Sequence, residues 1–382
     1  MNQSKPDRGQ QYNEGGTGHR DNQRGDQGDA GQRDDQRGAG QPSNHQGRNQ
    51  PGNHQGSNQR GGGATVIDAV LRWRELSILV VALILVAYFE AANTDFLLSE
   101  ASLQNLSQFV APAAIIACGE IMLMIGGEID LSAGMVFALA PFVMHFAHQA
   151  GVPLIPAIAL ALIASALIGL CNGLITVAFL VPSFITTLGT NFLLNGLTLT
   201  LSHGTPAEAP EDPVFGAIFG NWGYSEIIWA VVVVAFMHTV LRRTRWGLHT
   251  IAAGANPVGA AEAGIRVNRL KVGNFMLAAT LAGLTGVLES FRISSIDPQA
   301  GGNSIMFLAV AAGVIGGTPL AGGSGTILGG LIGAFVLGVL SDGFTLIGVN
   351  AFMFNIILGA AILAAMLFNI HVGRLRRLGA MR

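Results

Sequence analysis

Long apolar runs separated by short polar stretches dominate the chain from residue 65 onward. About ten such runs are present, at 76–92, 103–125, 131–148, 154–180, 184–201, 226–241, 275–293, 304–315, 326–340 and 351–370. A helix needs ~20 residues to cross the ~30 Å hydrocarbon core of a bilayer. Most runs approach this length, whereas the run at 304–315 would rise only ~18 Å as a helix. The pattern predicts an all-α polytopic membrane protein of about ten transmembrane or half-membrane helices.

Residues 1–64 have a different composition, rich in Gly, Gln, Asn, Asp and Arg and almost free of large apolar side chains. Short repeats occur there, since Asn-His-Gln-Gly appears at 44–47 and again at 53–56. Such a segment buries too little apolar surface to offset the entropy lost on folding. We therefore predict a disordered, low-complexity cytoplasmic tail at 1–64 and a transmembrane domain at 65–382. With eight basic and seven acidic residues, the tail gives no indication of nucleic-acid binding.

The charges between the runs predict how the chain crosses the membrane, because Lys and Arg near the ends of spans favour the cytoplasmic side. Arg72 and Arg74 precede the first run, and four arginines follow the last run at 374–382. The segment 202–224 instead carries three acidic residues and neither Lys nor Arg. We therefore predict a multi-pass protein with both termini in the cytoplasm and with 202–224 outside.

The longest polar interruption in the membrane domain is the loop at 242–271. Basic residues stand at both of its ends, and its centre is rich in Ala and Gly, with Asn256-Pro257 as a predicted helix start. Small residues let the surface of another protein approach closely, and a basic rim can hold that surface in register. From the residues alone, a solvated cytoplasmic loop and a docking surface for a partner both remain open.

Two Gly-Gly interruptions occur in corresponding places, one within 125–134 and one within 315–325. Paired glycine interruptions in two parts of a transporter indicate a binding site or pathway, although glycines also permit close helix packing. Acidic residues lie in and before the first interruption, and acids at membrane depth are costly unless they have a role. The predicted translocation pathway comprises Gly126, Gly127, Glu128, Asp130, Ser132, Gly316, Gly317 and Glu120.

The sequence contains no GxxxxGK[ST] phosphate loop and no cluster of His or Cys residues at metal-ligand spacing. His145 and His148 share a helix face, and we interpret them as interfacial side chains. Glu289 lies three residues before Arg292, which predicts a local ion pair. We therefore predict a transporter subunit that is not an enzyme and has no catalytic residue, metal site or cofactor.

Four passages resemble the permease subunit of ribose-type importers of the ATP-binding-cassette (ABC) class, a family that serves monosaccharides. They are GGEIDLSAGMVFALA from Gly126, CNGLITVAFLVPSFITTLGT from Cys171, TRWGLHTIAAGANPVGAAEAGI from Thr244 and VIGGTPLAGGSGTILGGLIGA from Val314. The passages follow the family's order and spacing, and the resemblance covers about residues 70–380. One passage departs: where the family often has Glu-Leu-Asp before the second Gly-Gly, this chain has Ser-Ile-Met-Phe-Leu at 304–308. The departure bears on the substrate class rather than on the permease fold.

The resemblance implies a permease that works as a dimer, with a second copy or a paralogue, in the bacterial cytoplasmic (inner) membrane and in contact with its lipids. Separate ATP-binding subunits would attach at the cytoplasmic face and hydrolyse ATP, and an extracellular or periplasmic solute-binding protein would deliver the solute. No nucleic acid is expected as a partner. The family's cytoplasmic loop, which couples to the ATP-binding subunit, falls on Gly254, Asn256, Pro257, Ala260, Ala261 and Gly264.

The leading hypothesis is therefore the permease subunit of an ABC importer that moves a sugar or similar small polar solute into the cytoplasm. A proton-coupled secondary transporter that uses Glu120, Glu128 or Asp130 is the alternative, since acids within membrane spans are often functional. That alternative does not account for the loop at 242–271. A passive channel is a third hypothesis, although the sequence shows no motif typical of a charged or carbonyl selectivity filter.

Overall fold

The computed structural model describes residues 74–92, 99–220, 222–350, 353, 355–364 and 366–367. The chain divides into two units, Met1–Gln59 and Arg60–Arg382, and all described residues belong to the second unit. The predictions for the tail at 1–64 and for the arginines at 374–382 lie outside the described residues.

The described part of the chain is almost entirely helical. Its helices are α1 Arg74–Ala92, α2 Glu100–Ile125, α3 Ala133–Gln149, α4 Leu154–Ala178, α5 Ser183–Ser202, α6 Pro213–Phe219, α7 Ser225–Arg243, α8 Arg245–Ala255, α9 Pro257–Glu262, α10 Val267–Ile293, α11 Gly302–Ile315, α12 Ile327–Leu346 and α13 Asn355–Ala364. Two short strands, β1 Ala207–Glu208 and β2 Ser295–Ile296, pair antiparallel.

Seven of the described helices are long and apolar enough to cross a membrane, namely α1, α2, α4, α5, α7, α10 and α12. α3 and α11 are shorter, with 17 and 14 residues. At 1.5 Å per residue, α11 rises only ~21 Å, which is less than the hydrocarbon core. The predicted all-α polytopic fold, with both full-length and shorter apolar helices, is confirmed.

α2 lies at the centre of the helix bundle. Every side chain from Val110 to Ile125 is buried, and α7, α10, α11 and α12 pack around this helix. Small residues allow the close packing, since a Cβ on Gly119 would lie only 2.6 Å from the Cα of Ala278 on α10. α5 has the opposite character, because Phe192 and Leu193 on its outer face are 67% and 65% exposed.

The order of the spans places two groups of connections at opposite ends of the bundle. β1 follows the end of α5 and pairs with β2, which follows the end of α10. α8 and α9 connect the end of α7 to the start of α10, so they lie at the other end. The same end holds the two glycine interruptions. We name residues 126–132, between α2 and α3, break 1, and residues 316–326, between α11 and α12, break 2.

Candidate functional site

The two breaks end their helices with the same backbone turn. In break 1 the N–H groups of Gly127 and Glu128 donate to the carbonyls three and five residues earlier, both at 3.0 Å. In break 2 the N–H groups of Gly317 and Thr318 do the same, at 3.0 and 2.9 Å. The second glycine of each pair has a positive φ, +78° at Gly127 and +87° at Gly317, which only glycine adopts without strain. The paired glycines are therefore helix-ending residues.

The end of α2, break 2 and α8 meet at one backbone hydrogen bond. The N–H of Gly323 in break 2 donates to the carbonyl oxygen of Ile125, the last residue of α2, at 2.8 Å. Gly254 of α8 packs directly on this bond, since a Cβ there would lie 1.7 Å from the Ile125 oxygen and 2.9 Å from the Gly323 nitrogen. Only glycine fits at this position. We name this contact among Ile125, Gly254 and Gly323 the junction.

α8 is also anchored by side chains that the sequence analysis did not single out. The Trp246 Nε1–H donates to Oδ1 of Asn274 on α10 at 2.8 Å, and the Asn274 Nδ2 group donates to the Met122 carbonyl of α2 at 3.3 Å and to the Thr250 hydroxyl at 3.4 Å. The Trp246 ring lies against Gly273, where a Cβ would be 2.2 Å from the ring. α8 is thereby tied to both α10 and α2. Trp246, the one tryptophan in the loop at 242–271, was the signal available in the sequence.

α9 begins where the sequence predicted a helix start. The Asn256 side chain accepts a hydrogen bond from the Gly259 N–H at 3.0 Å, and Pro257 occupies the first helical position. The helix ends at Glu262, and Gly264, two residues later, has φ of +83° with no atom within 4 Å of a Cβ built there. α9 is thus a short, capped helix on the surface of the bundle.

The six predicted coupling residues occupy two kinds of position. Asn256, Pro257, Ala261 and Gly264 are exposed, and Val258 beside them is 68% exposed. The other two lie inward: Gly254 is part of the junction, and Ala260 is buried against Ala253 and Leu270. The segment therefore has an outer surface open to a partner and an inner surface that contacts the breaks.

Break 1 turns back into the bundle. The N–H of Asp130 donates to the carboxylate of Glu120 at 3.3 Å, and Glu120 lies five residues before the end of α2, so Asp130 lies ~8 Å inside that end. Both acids are fully buried. The Asp130 carboxylate accepts hydrogen bonds from the N–H of Ser132 at 2.8 Å and from its hydroxyl at 2.6 Å. Of the predicted pathway residues, these three lie together.

Polar side chains of α4 and α5 hold break 1 in this position. The hydroxyls of Ser183 and Thr187 accept from the N–H groups of Ile129 and Leu131, at 3.3 and 3.0 Å. Asn191 donates to the Leu131 carbonyl at 2.8 Å. These α5 side chains were not predicted as site residues. Their spacing of four residues puts them on one helix face, a periodicity that was visible in the sequence.

Glu128 has a different role from the buried acids. Its carboxylate forms an ion pair with Lys271 at the start of α10. The pair links break 1 to the basic end of the loop at 242–271. At the other end of the bundle, the predicted local pair of Glu289 and Arg292 is confirmed, and Arg292 also approaches Glu226, which the sequence analysis missed, at 3.3 Å.

α3 and α11 both begin inside the bundle, and their first turns touch. A Cβ on Gly134 would lie 1.8 Å from the carbonyl oxygen of Gly302. In the same way, a Cβ on Gly286 of α10 would lie 2.0 Å from the carbonyl oxygen of Phe137 on α3. Gly286 is seven residues, or ~10 Å, before the end of α10. Two short helices whose N-terminal ends meet within the bundle recur at solute sites of membrane transporters.

Residues 102–366 match the family model described as "Branched-chain amino acid transport system / permease component". The chain belongs to this permease family. It is therefore a multi-pass membrane transport component.

Several curated permeases are similar to this chain along most of its length. The xylose/arabinose import permease protein XylH of Sulfolobus acidocaldarius is 36% identical over 314 residues, which cover 80% of this chain and 87% of that protein. The ribose import permease protein RbsC of Escherichia coli K12 is 34% identical over 297 residues, covering 76% and 92%. RbsC of Bacillus subtilis is 35% identical over 290 residues, covering 75% and 89%. No solved structure matches the chain. The resemblance to ribose-type ABC permeases is confirmed.

Proposed function

We propose that this permease is the transmembrane subunit of an ABC importer that moves a sugar or a similar small polar solute into the cytoplasm. The names of its relatives support this substrate class, since they are import permeases for xylose, arabinose and ribose. The structural observation that carries the mechanism is the junction, where α8 contacts Gly323 of break 2 and the Ile125 carbonyl, directly before break 1.

In this mechanism a separate ATP-binding subunit docks on the outer surface of α9 and hydrolyses the ATP. Its closure pushes α9, and α8 transmits the displacement because Gly254 and the Trp246–Asn274 hydrogen bond tie α8 to the bundle. The displacement reaches break 1 and break 2 together at the junction. A rigid contact between backbone groups suits this purpose, since it leaves no flexible side chain to absorb the motion.

The remaining assignments follow from the same orientation. The segment 202–224 faces outward, where a cavity of about 530 Å³ has Glu208, Glu211 and Asp212 in its lining. An extracellular or periplasmic solute-binding protein docks at this end. The apolar outer faces of helices such as α5 contact lipid and a second permease subunit. The protein resides in the bacterial cytoplasmic (inner) membrane with both termini inside. The translocation pathway passes the buried cluster of Glu120, Asp130 and Ser132.

The docking role of α9 is tested at Gly264. Asp and Asn have nearly the same size, and both tolerate the left-handed backbone found here. Gly264→Asp would place an unpaired charge in a desolvated contact, at a cost of several kcal/mol. We expect Gly264→Asp to insert normally, to lose the ATP-binding subunit in co-purification and to lose solute-stimulated ATP hydrolysis. Gly264→Asn is the matched control and should keep both. If both variants retain the ATP-binding subunit equally, α9 is not part of the surface that couples to it.

The energy source is tested by reconstitution in proteoliposomes with the ATP-binding subunit and the solute-binding protein. Uptake should require ATP, stop with vanadate and continue when a protonophore collapses the proton gradient. Uptake that persists without the ATP-binding subunit, and that the protonophore abolishes, would instead establish the proton-coupled mechanism through Glu120, Glu128 or Asp130.

A further inference from the structure

α11 carries an exposed polar and aromatic face where an apolar one is expected. Asn303, Ser304 and Phe307 are all exposed, and the Phe307 ring is 55% exposed. Residues three and four apart in a helix lie on the same side, so the ring stands beside the amide and the hydroxyl. The rest of this helix is strongly apolar and packs into the bundle.

Along the axis of the bundle, these exposed side chains lie between its two ends rather than at either end. Gly302, which precedes them, contacts Gly134 in the first turn of α3. On the neighbouring helix α5, Asn191 is 4% exposed and donates to Oδ1 of Asn303 at 3.1 Å. The hydrogen bond engages the oxygen of the Asn303 amide and so orients this side chain. Asn191 is therefore a positioning residue for Asn303.

Hydrocarbon is a poor environment for this face. Within the described part of the chain, the Asn303 Nδ2 group and the Ser304 hydroxyl have no protein hydrogen-bond partner. Polar groups exposed to lipid at this depth are strongly unfavourable, and irregular or polar segments there are tolerated where they border a water-filled passage. A passage that carries hydroxylated molecules needs such donors and acceptors, and an aromatic ring offers the apolar side of a sugar a surface to stack on.

We propose that Asn303, Ser304 and Phe307 form a solute-contacting surface for a polyhydroxylated molecule such as a sugar ring. This proposal rests on the proposed function and adds the site at which the solute is contacted. The Asn303 amide donates to solute hydroxyls, the Ser304 hydroxyl donates or accepts, and Phe307 covers the C–H face of the ring. The surface differs from the predicted pathway cluster of Glu120, Asp130 and Ser132, which is fully buried.

The first experiment measures water access and does not depend on transport. In a Cys171→Ala background, which removes the exposed native thiol and keeps the buried Cys118, Ser304→Cys is treated with a charged, membrane-impermeant methanethiosulfonate. Leu193→Cys, on the apolar face of α5, is the control. We expect Ser304→Cys to react at least about tenfold faster, because the reactive thiolate forms only in contact with water. Equal rates would mean that lipid or a second copy of the chain covers this face, and would overturn the proposal.

The second experiment asks whether the solute itself reaches this surface. A panel of aldopentoses and aldohexoses at millimolar concentration is added to the assembled importer, and at least one of them should slow labelling of Ser304→Cys. No protection by any sugar would refute solute contact. Asn303→Leu should lower uptake of the protecting sugar by about tenfold at limiting concentration, as for one lost hydrogen bond, while co-purification of the ATP-binding subunit stays unchanged. Asn303→Gln should recover part of the uptake.

These results separate this proposal from the proposed function. If the wild-type complex shows no ATP-driven uptake, the importer assignment fails while the labelling rates still report water access at Ser304. If uptake is ATP-driven and Ser304→Cys is unreactive, the importer assignment stands and the solute-contacting surface is wrong.

Discussion

Break 1 and break 2 share a backbone turn but have different surroundings. Gly126 and Gly316 stand 190 residues apart, and the hydrogen bonds that end α2 and α11 are the same. Four residues after each of them, Asp130 is fully buried while Leu320 is 47% exposed. The glycine pair therefore specifies how the helix ends. The polar side chains around it decide whether the following segment re-enters the bundle.

The two breaks also differ in what holds them. Break 1 is bound by side chains of α4 and α5 and by the Glu128–Lys271 pair. Break 2 contains no acidic or basic residue and reaches α2 through the backbone of Gly323. A cavity of about 230 Å³ lies beside it, lined by residues that include Arg242 and Ile251. Break 1 is therefore held by more side-chain contacts than break 2.

The largest effect is expected at Gly254, which packs on the contact between the end of α2 and break 2. Gly254→Ala places a Cβ 1.7 Å from the Ile125 oxygen, so the junction must separate, at a cost of about 3 kcal/mol or more. Thermal unfolding of the purified permease and ATP-driven uptake should both decline sharply. Gly189→Ala on α5, where a Cβ would meet no atom within 4 Å, is the control and should behave as wild type. If Gly254→Ala unfolds and transports like the wild type, the junction does not transmit motion between α8 and the bundle.

The next effect distinguishes the breaks directly. Asp130→Ala removes the acceptor of two hydrogen bonds from Ser132 and should cost about 2–3 kcal/mol of unfolding free energy. Leu320→Ala, at the corresponding position of break 2, should cost less than about 1 kcal/mol because the side chain is half exposed. Chemical denaturation of both variants in detergent measures the difference. Similar losses would mean that the two breaks are held equally firmly.

Substitution of the second glycine in each pair should have an intermediate effect. Gly127→Ala has room for its methyl group, so it should lose only the ~1–2 kcal/mol that a positive φ costs an L-residue. Gly317→Ala carries the same backbone cost and is buried, so its loss should be at least as large. Gly127→Asn should lose less than Gly127→Ala, since Asn tolerates this backbone region. Melting temperatures of the three variants measure this order. A lower melting temperature for Gly127→Asn than for Gly127→Ala would contradict the argument from backbone conformation.

The smallest effect is expected for the ion pair of break 1. Glu128 and Lys271 are partly exposed at 11% and 26% of their side chains, and such pairs contribute about 1 kcal/mol or less. A double-mutant cycle with Glu128→Gln and Lys271→Gln should give a coupling energy of that size, and high salt should reduce it. A coupling energy that salt leaves unchanged would point to a buried structural role for the pair.

Much of the fold followed from local patterns in the sequence. The apolar runs predicted the positions of the spans, for example α4 at Leu154–Ala178 from the run at 154–180. The Asn256-Pro257 pair predicted the start of α9, which the structure confirms. These features depend on a few neighbouring residues, because helix length, capping and glycine turns are local properties of the chain.

The candidate site was predicted only in part. Glu120 and Asp130 were singled out because acids in apolar runs are rare, and Ser132 because it falls in a glycine-rich motif of the family that the chain resembles. The structure brings these three together. Asn274 was missed, because one amide in an apolar helix has no local pattern that reveals its partner. Asn191 was missed because its spacing from Ser183 and Thr187 marks a polar helix face but not the segment that this face contacts. Their hydrogen bonds join residues 28 and 112 positions apart.

The sequence by itself determined that this protein is a helical membrane permease, roughly where most of its long helices lie, and which glycine pairs interrupt them. The tertiary structure alone decided that Gly254 faces the bundle while Gly264 faces outward, and that the Ile125 carbonyl is the point where three segments meet. The physical reason is distance along the chain. Hydrophobic periodicity and turn chemistry act between near neighbours, whereas the junction depends on how α2, α8 and break 2 pack, which no single segment encodes.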